Sequence, residues 1–296
     1  MVIFPSIFLS LYIFAGQRGL QGNYGQDAPF ILVGSMAMAF FFLLLLIPLT
    51  LSLSIPKTLK AVLSLMWLII GMWVFMLSVS LAFGSWDGKF DVIADMTDDL
   101  EDEGFFLSPN SLSILDVGCG SGLFSLTLLK RMQSRGTEGK VWCIDVWREK
   151  DQFGNTDDNI FRNAEIEGVD PSKLHVLTGD VRDMPPEWTN KFDLVVQSLA
   201  LHNVEEGEFT KEAKEERVKA INEIVRVTKP EGRILMWDIC PGDPKWTGGC
   251  AIKEFYEQME KLQEQRQPLL EEVELDGPIF VFSPSYIVRG RKKDVD

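Results

Sequence analysis

Apolar residues crowd the first third of this chain, then give way to short strand-like and helix-like blocks separated by polar turns. No charged residue occurs from Ala28 to Pro56 or from Ala61 to Trp86, and about 20 apolar residues suffice to cross the hydrocarbon core of a bilayer. Two transmembrane helices are therefore expected, near 29–55 and 61–84. A pair of buried core helices is the competing reading, but the run Ala39–Ile47 has no polar face. Pro48 falls inside the first span and predicts a kink. Ser35 and Ala39 have the four-residue spacing of small side chains that lets two helices approach. Residues 1–17 are also uncharged and mostly apolar, without a basic run after Met1 or a small-residue cleavage site, so a further short or re-entrant segment is expected there. Residues 1–86 thus form one membrane region.

Beyond Trp86 the pattern changes. The stretch 87–110 is acid-rich, with Asp98-Asp99-Leu100-Glu101-Asp102-Glu103 at its centre, and reads as a solvated linker. Phe105, Phe106 and Leu107 within it are candidates to cover a ligand site. From 111 to 291, apolar runs alternate with periodic ones. Ile114–Val117, Lys140–Asp145, Leu174–Thr178, Lys191–Ser198 and Arg233–Ile239 read as strands. Helices are expected over Ser121–Gln133, from Asp157 to just before Gly168, and over Thr210–Thr228, where Val218, Ile221, Ile224 and Val225 share a stripe. This alternation predicts a Rossmann-like, doubly wound, mostly parallel α/β sheet following the transmembrane helices. Glu272–Glu274, Phe280–Phe282 and Tyr286–Arg289 are short strand candidates near its end, and 292–296 is a tail.

The chain carries a net charge of −14, the first 86 residues +2, and residues 87–296 therefore −16. Phosphate neutralisation needs clustered Lys and Arg, so neither nucleic acid nor a polybasic grip on anionic lipid is expected. Cys119, Cys143, Cys240 and Cys250 contain no Cys-x-x-Cys pair and read as reduced thiols of a cytosol-facing domain. His175 and His202 are the only histidines, and no metal site is expected. Nothing in the pattern sets an oligomeric state.

The most informative junction is Ile114-Leu115-Asp116-Val117-Gly118-Cys119-Gly120-Ser121-Gly122, a buried strand breaking into a helix through alternating glycines. Such a turn brings backbone close to a ligand, and the helix opens with free N–H groups. A nicotinamide or flavin fingerprint asks for Gly-x-Gly-x-x-Gly or Ala, but Leu123 occupies the third position. With an acid two residues before the first glycine, the run instead resembles the first motif of class I S-adenosylmethionine-dependent methyltransferases. Four further elements follow in that family's order: the acid Asp145 closing a strand, the turn Gly179-Asp180-Val181-Arg182-Asp183, the stretch Leu199–Asn203, and Lys229-Pro230-Glu231-Gly232. Glu231 departs from the family's turn, where a glycine is usual. The resemblance covers about residues 90–291 and is nearest to the broad group containing quinone-ring and sterol methyltransferases. It implies a seven-stranded sheet with a reversed final hairpin, a methyltransferase domain over 111–291, and S-adenosyl-L-methionine as cofactor.

On that resemblance the cofactor-binding residues are Asp116, Gly118, Cys119, Gly120, Gly122, Asp145, Val146, Asp180, Val181, Gln197 and Ser198. Asp145, at a strand's carboxyl end, is placed to accept two ribose hydroxyls; an ordinary strand-end acid is the plainer alternative. Asp180 takes the position that bonds the adenine amino group, with Asp183 as the alternative acceptor and Val181 offering its N–H. Trp147, Gln152, Asn155, Trp237 and Asp238 follow strand ends and serve either as pocket walls or in packing and capping. Methyl transfer from a sulfonium needs a base only when the acceptor must lose a proton. His202 is the candidate general base, its alternative a hydrogen bond to backbone at a strand end. His175, in an alternating strand, reads as a surface or packing residue.

Membrane attachment points to a small or lipid-soluble acceptor: a quinone precursor, sterol, prenol or phospholipid. The rival function is a non-catalytic membrane module that binds the cofactor for regulation. Lys57 and Lys60 in the short connector favour a cytoplasmic connector, which in a hairpin puts the C-terminal domain outside. The cytosolic supply of the cofactor argues the opposite, and the domain is expected to face the cytosol.

Overall fold

The computed structural model describes residues 20–25, 29–152, 154–207, 210–240, 250–264, 270–281 and 284–294. The apolar stretch 1–17 and part of the tail lie outside the described residues. Helix α1 (Pro29–Phe40) runs through a π-helical turn, Phe41–Leu46, into α2 (Ile47–Ser52), and α3 (Lys57–Phe83) returns beside them. Pro48 has no N–H for the carbonyl of Leu44 and its ring crowds that carbonyl, so the expected kink takes the form of a wider π turn just ahead of it. Small residues set the helix–helix approach: Ser78 Oγ donates to Ser35 Oγ (2.8 Å), Ala39 is buried, and a Cβ on Gly71 would fall 2.7 Å from the side chain of Leu43. Both helices are long and apolar enough to cross a membrane. Their outward residues Leu44, Val62, Ile69 and Trp73 are each at least 60% exposed.

A π turn at Gly84–Gly88 continues α3 into α4 (Lys89–Asp102), and here the expectation of a solvated linker fails. Phe90, Ile93, Met96, Thr97 and Leu100 form a buried stripe on α4. Each such apolar side chain contributes roughly 1.5–3 kcal/mol when buried. The acids on its other face are paired: Asp98 and Glu101 with Arg131, Asp99 with Arg289, and, just beyond the helix, Glu103 with Arg233.

The sheet and its helices follow in order: β1 (Leu112–Val117), α5 (Leu123–Arg135), β2 (Gly139–Asp145), α6 (Asp157–Ile166), β3 (Leu174–Thr178), β4 (Phe192–Ser198), α7 (Lys211–Val227), β5 (Thr228–Ile239), α8 (Ala251–Glu264), β6 (Leu270–Phe280) and β7 (Pro284–Lys292). The seven strands lie in the order β3-β2-β1-β4-β5-β7-β6, all parallel except β7, which runs antiparallel to both neighbours. The reversed final hairpin is therefore present, but Glu272–Glu274 and Phe280 belong to one strand rather than two; Phe282 lies outside the described residues. Successive side chains alternate between the two faces. Ile114, Val141 and Leu194 pack under α4, α5 and α6, while Leu115, Val195 and Ile234 pack under α7 and α8.

Cys240 and Cys250 form a disulfide joining the end of β5 to the start of α8, which corrects the reading of four reduced thiols; Cys119 and Cys143 are buried and unbridged.

Candidate cofactor site

The chain leaves β1 for α5 on one face and β4 for α7 on the other, and these neighbouring strands open a crevice at their carboxyl ends. A cleft of about 310 Å³ occupies it. Gly118 and Gly120, at φ +68 and +51, turn the chain across its floor. A Cβ on Gly118 would fall 2.2 Å from Ala200 Cβ, and one on Gly120 would fall 2.7 Å from Gln152 Oε1, so both positions require bare backbone. Gln152 Oε1 accepts from Ser121 N and Ser121 Oγ, each at 3.0 Å, and so caps the turn into α5. Leu199 and Trp147 hold the left-handed conformation without being glycine, at φ +52 and +56, where the chain leaves β4 and β2. Such strain, of order 1–3 kcal/mol per residue, concentrates at functional sites.

Asp145 closes β2 and faces the same floor. Its Oδ2 accepts Gly120 N (2.8 Å) and its Oδ1 accepts Trp147 N (2.7 Å). An ionised carboxylate has about four lone-pair sites, so hydroxyl donors of a ligand still find acceptors there. Burial raises the Asp145 pKa, opposed by the N–H groups of Trp147 and Gly120 and by the Asn155 side chain. Asn155 Oδ1, buried and without a hydrogen-bond partner, belongs to a residue lining the cleft, and supplies a further acceptor. Gly179, Asp180 and Val181 form the next wall. The Arg182 guanidinium forks onto Asp180 (2.6 and 2.9 Å) and holds its carboxyl below the usual range. Arg182 also pairs with Glu205 and with Glu216, tying the turn Leu201–Gly207 to this wall.

Cys119, Val146 and Ser198 line the cleft, as do Gln152, Asn155 and Trp237. Asp116, Gly122 and Gln197 stand behind it instead. Asp116 is fully buried, accepts from Ser125 N (3.1 Å) and Ser125 Oγ (2.5 Å), and so anchors α5 to β1. Burial pushes its pKa up to about 7, against the two bonds from Ser125. Gly122 abuts Ile160, and Gln197 Nε2 donates to Asp238 Oδ2 (3.1 Å). Trp147 and Asp183 are not among the lining residues, and Trp147 Nε1 bonds Thr178 Oγ1 (2.8 Å). Phe105–Leu107 do not cover the cleft: Phe105 stacks under Arg233, at the opposite end of β5 from the crevice.

His202 stands beside the cleft between the lining residues Leu201 and Asn203. Its Nδ1 lies 2.5 Å from Oδ1 of the fully buried Asp238, whose Oδ2 accepts His202 N (3.1 Å). Asp238 is thus the residue that orients the ring and not a pocket wall. His175 stacks on Trp142 at 5.0 Å, a packing role. Sequence reasoning missed Tyr24, Lys89 and Ile93, which line the cleft from segments assigned to membrane and linker. The apolar period of α4 was the available signal for Ile93.

The fold and the cleft define a Rossmann-like domain of the class I methyltransferase type. The chain belongs to the methyltransferase-domain family, whose model matches residues 109–277. The bare-backbone floor, the Asp145 carboxylate and the unpartnered Asn155 oxygen fit S-adenosylmethionine, which is the cofactor. An uncharacterized methyltransferase of Schizosaccharomyces pombe is 27% identical over 154 residues, 51% of this chain and 47% of the relative. The chain thus spans about half the length of the curated relative it matches. Among solved structures, the magnesium protoporphyrin IX methyltransferase of Synechocystis PCC 6803, with S-adenosylmethionine bound, is 15% identical with a TM-score of 0.48, covering 73% of this chain and 84% of that one. An S-adenosylmethionine-dependent methyltransferase of Aquifex aeolicus is 20% identical with a TM-score of 0.40, covering 68% and 97%.

Proposed function

We propose that this chain is a membrane-anchored methyltransferase that transfers a methyl group to a small or lipid-soluble acceptor by in-line displacement, with its domain facing the cytosol. The observation that carries the reading is the backbone cradle at Gly118–Ser121 set against the Asp145 carboxylate in the β1–β4 crevice. Two apolar helices with exposed outer faces support the anchor. An acceptor dissolved in the bilayer fits the position of Lys89 and Ile93, which reach the cleft from the helix that directly continues α3.

S-adenosylmethionine, when bound, supplies an electrophilic methyl on a sulfonium whose departure as a neutral thioether needs no acid. Gly118 and Gly120 would admit the cofactor, Asp145 would accept from its ribose hydroxyls, and Asp180 with the Val181 N–H would hold its base. Leu199, Phe124 and Trp237 line the cleft with apolar surface and exclude water. Aligning acceptor and methyl is the main task of the residues around them. The Asp238 carboxylate on Nδ1 selects the His202 tautomer that leaves Nε2 as base, for acceptors that must shed a proton.

Incubation of membranes with methyl-labelled donor tests the reading: label in the organic extract supports a lipid acceptor, and label confined to protein or aqueous metabolites refutes it. Donor binding with no labelled product at all would favour the non-catalytic module. The cytosolic facing has two opponents, the basic connector and the Cys240–Cys250 bridge. Protease access to the domain in sealed vesicles of known orientation decides it.

A further inference from the structure

Six residues that precede α1, Leu20–Gly25, come back to the Rossmann domain. Glu167 Oε1 accepts Gln21 N (2.6 Å), Gly22 N (2.8 Å) and the Tyr24 hydroxyl (3.0 Å), and Lys130 neutralises the same carboxylate at 2.7 Å. Asn163 Oδ1 accepts Asn23 N (2.8 Å), while Asn163 Nδ2 donates both to Asn23 O (2.8 Å) and to Ser121 O (2.9 Å). Asn159 Nδ2 makes the parallel bridge, to Asn23 O (3.1 Å) and Ser121 Oγ (2.9 Å). Two asparagines of α6 therefore hold one carbonyl of this segment and one residue of the glycine turn in a common register. From α4, the buried Lys89 donates Nζ to Tyr24 O (3.0 Å) and Gly25 O (3.1 Å). Tyr24 is fully buried, its ring 5.7 Å edge-on from Phe90, and it lines the cleft together with Gly118–Ser121.

We propose that Leu20–Gly25 is a strap that completes the donor site, with Tyr24 as a binding residue and Asn159 and Asn163 as positioning residues that lock the strap to the glycine turn. The inference rests on the reading of the cleft as the S-adenosylmethionine site. Its consequence is that donor affinity depends on residues outside the Rossmann domain: along the chain the strap reaches the domain through the apolar hairpin, but it is held there by Lys89, Asn159, Asn163 and Glu167, so loss of those bonds loosens a wall of the donor site. By linkage, a ligand that uses the strap must also order it.

The full-length chain in detergent micelles, with S-adenosylhomocysteine as probe, provides the test. Calorimetry is expected to give at least tenfold weaker binding for Tyr24→Ala than for wild type. Binding within twofold of wild type overturns the strap alone; no binding by folded wild-type chain overturns the donor reading and the strap with it. Amide exchange of the wild-type chain keeps the proposal falsifiable even where Tyr24→Ala does not fold. The amides of Gln21, Gly22 and Asn23 are expected to exchange at least fivefold more slowly with the probe bound, and Asn163→Ala to abolish that slowing while β1 and β4 stay protected. Equal exchange with and without the probe in wild type overturns the proposal.

Discussion

Replacement of Gly118 by alanine probes the crevice at its tightest point. At φ +68 an L-residue costs roughly 1–2 kcal/mol in backbone strain. The added Cβ would fall 2.2 Å from Ala200 Cβ, whereas carbon atoms prefer roughly 3.5–4.0 Å, so β1 and the turn after β4 must part. Overpacking of this kind costs about 1–3 kcal/mol. The two effects together come to about 2–5 kcal/mol, against a total stability of about 5–15 kcal/mol, or roughly 5–15 °C in midpoint for a domain of this size. Ala200→Gly removes the obstructing methyl and leaves Ala200 Cα, at 3.6 Å, as the nearest atom of that residue, an ordinary contact. Thermal unfolding of wild type, both single variants and the double variant in detergent closes a cycle. The double variant is expected to recover the steric share, a coupling of about 1–3 kcal/mol, while the backbone strain persists. Gly118→Val, with two further methyls in the cleft, is expected to abolish S-adenosylhomocysteine binding in either background. Additivity of Gly118→Ala and Ala200→Gly within about 0.5 kcal/mol would refute the opposition of these two residues, and with it the crevice as drawn.

Asp145→Ala should weaken S-adenosylhomocysteine binding by at least about tenfold, the loss of charge-assisted hydrogen bonds worth roughly 1.5–3 kcal/mol, without unfolding the domain; calorimetry showing normal binding removes the ribose assignment. His202→Ala should slow turnover by about 10²–10⁴-fold with binding within twofold, and Asp238→Asn should shift the pH profile of turnover; an unchanged rate for His202→Ala returns the ring to a structural role. Asp116 holds a proton in the folded chain up to about pH 7 but loses it near 3.8 when unfolded. The folded state therefore binds more protons between those values, and stability falls as pH rises through the window, by about 4 kcal/mol for this group at pH 8. Asp116→Asn should cancel that slope, so the difference in unfolding midpoint between variant and wild type should grow from pH 4 to pH 8; a constant difference refutes the assignment.

The first five strands are legible in the sequence because a strand covered on both faces writes itself as an apolar run, as Leu194–Val196 and Ile234–Trp237 do. The floor of the cleft is legible for a related reason: only glycine fits where Gly118 and Gly120 sit. Helix α4 shows its apolar stripe at Phe90, Ile93, Met96 and Leu100, but its acids outnumber every local partner and hide it as a packed element. Arg131 lies 33 positions from Asp98, and Arg289 lies 190 from Asp99. Charge pairing at such separations exists only after folding, and a local reading sees only repulsion. Helix α8 is a different omission, since its buried Ile252, Phe255 and Met259 follow an i, i+3, i+7 stripe that periodicity alone reveals. The roles of Tyr24, Asn159 and Asn163 have no local signature at all, because their contacts join residues about 140 positions apart.

That same separation constrains the topology more strongly than the apolar pattern does. The strap precedes α1 and the domain follows α3, and both meet at one end of the helix pair through Lys89, Asn159 and Asn163. Ser35 bonds Ser78 near that end, and Thr50 accepts from Trp67 Nε1 toward the other, so the helices are antiparallel. The connector carrying Lys57 and Lys60 is consequently a full helix length away, roughly 40 Å for the 27 residues of α3. With the proposed membrane anchor, a chain assembled in this way crosses the bilayer an even number of times between Gly25 and Lys89 and sets the connector and the domain on opposite faces. A single accessible reporter at the connector then fixes the side of the domain: labelled from the cytosol, it sets the domain outside and overturns the proposed facing, and labelled only from the opposite side, it sustains that facing. Labelling of the connector and proteolysis of the domain from the same face would break the hairpin itself and the strap that depends on it.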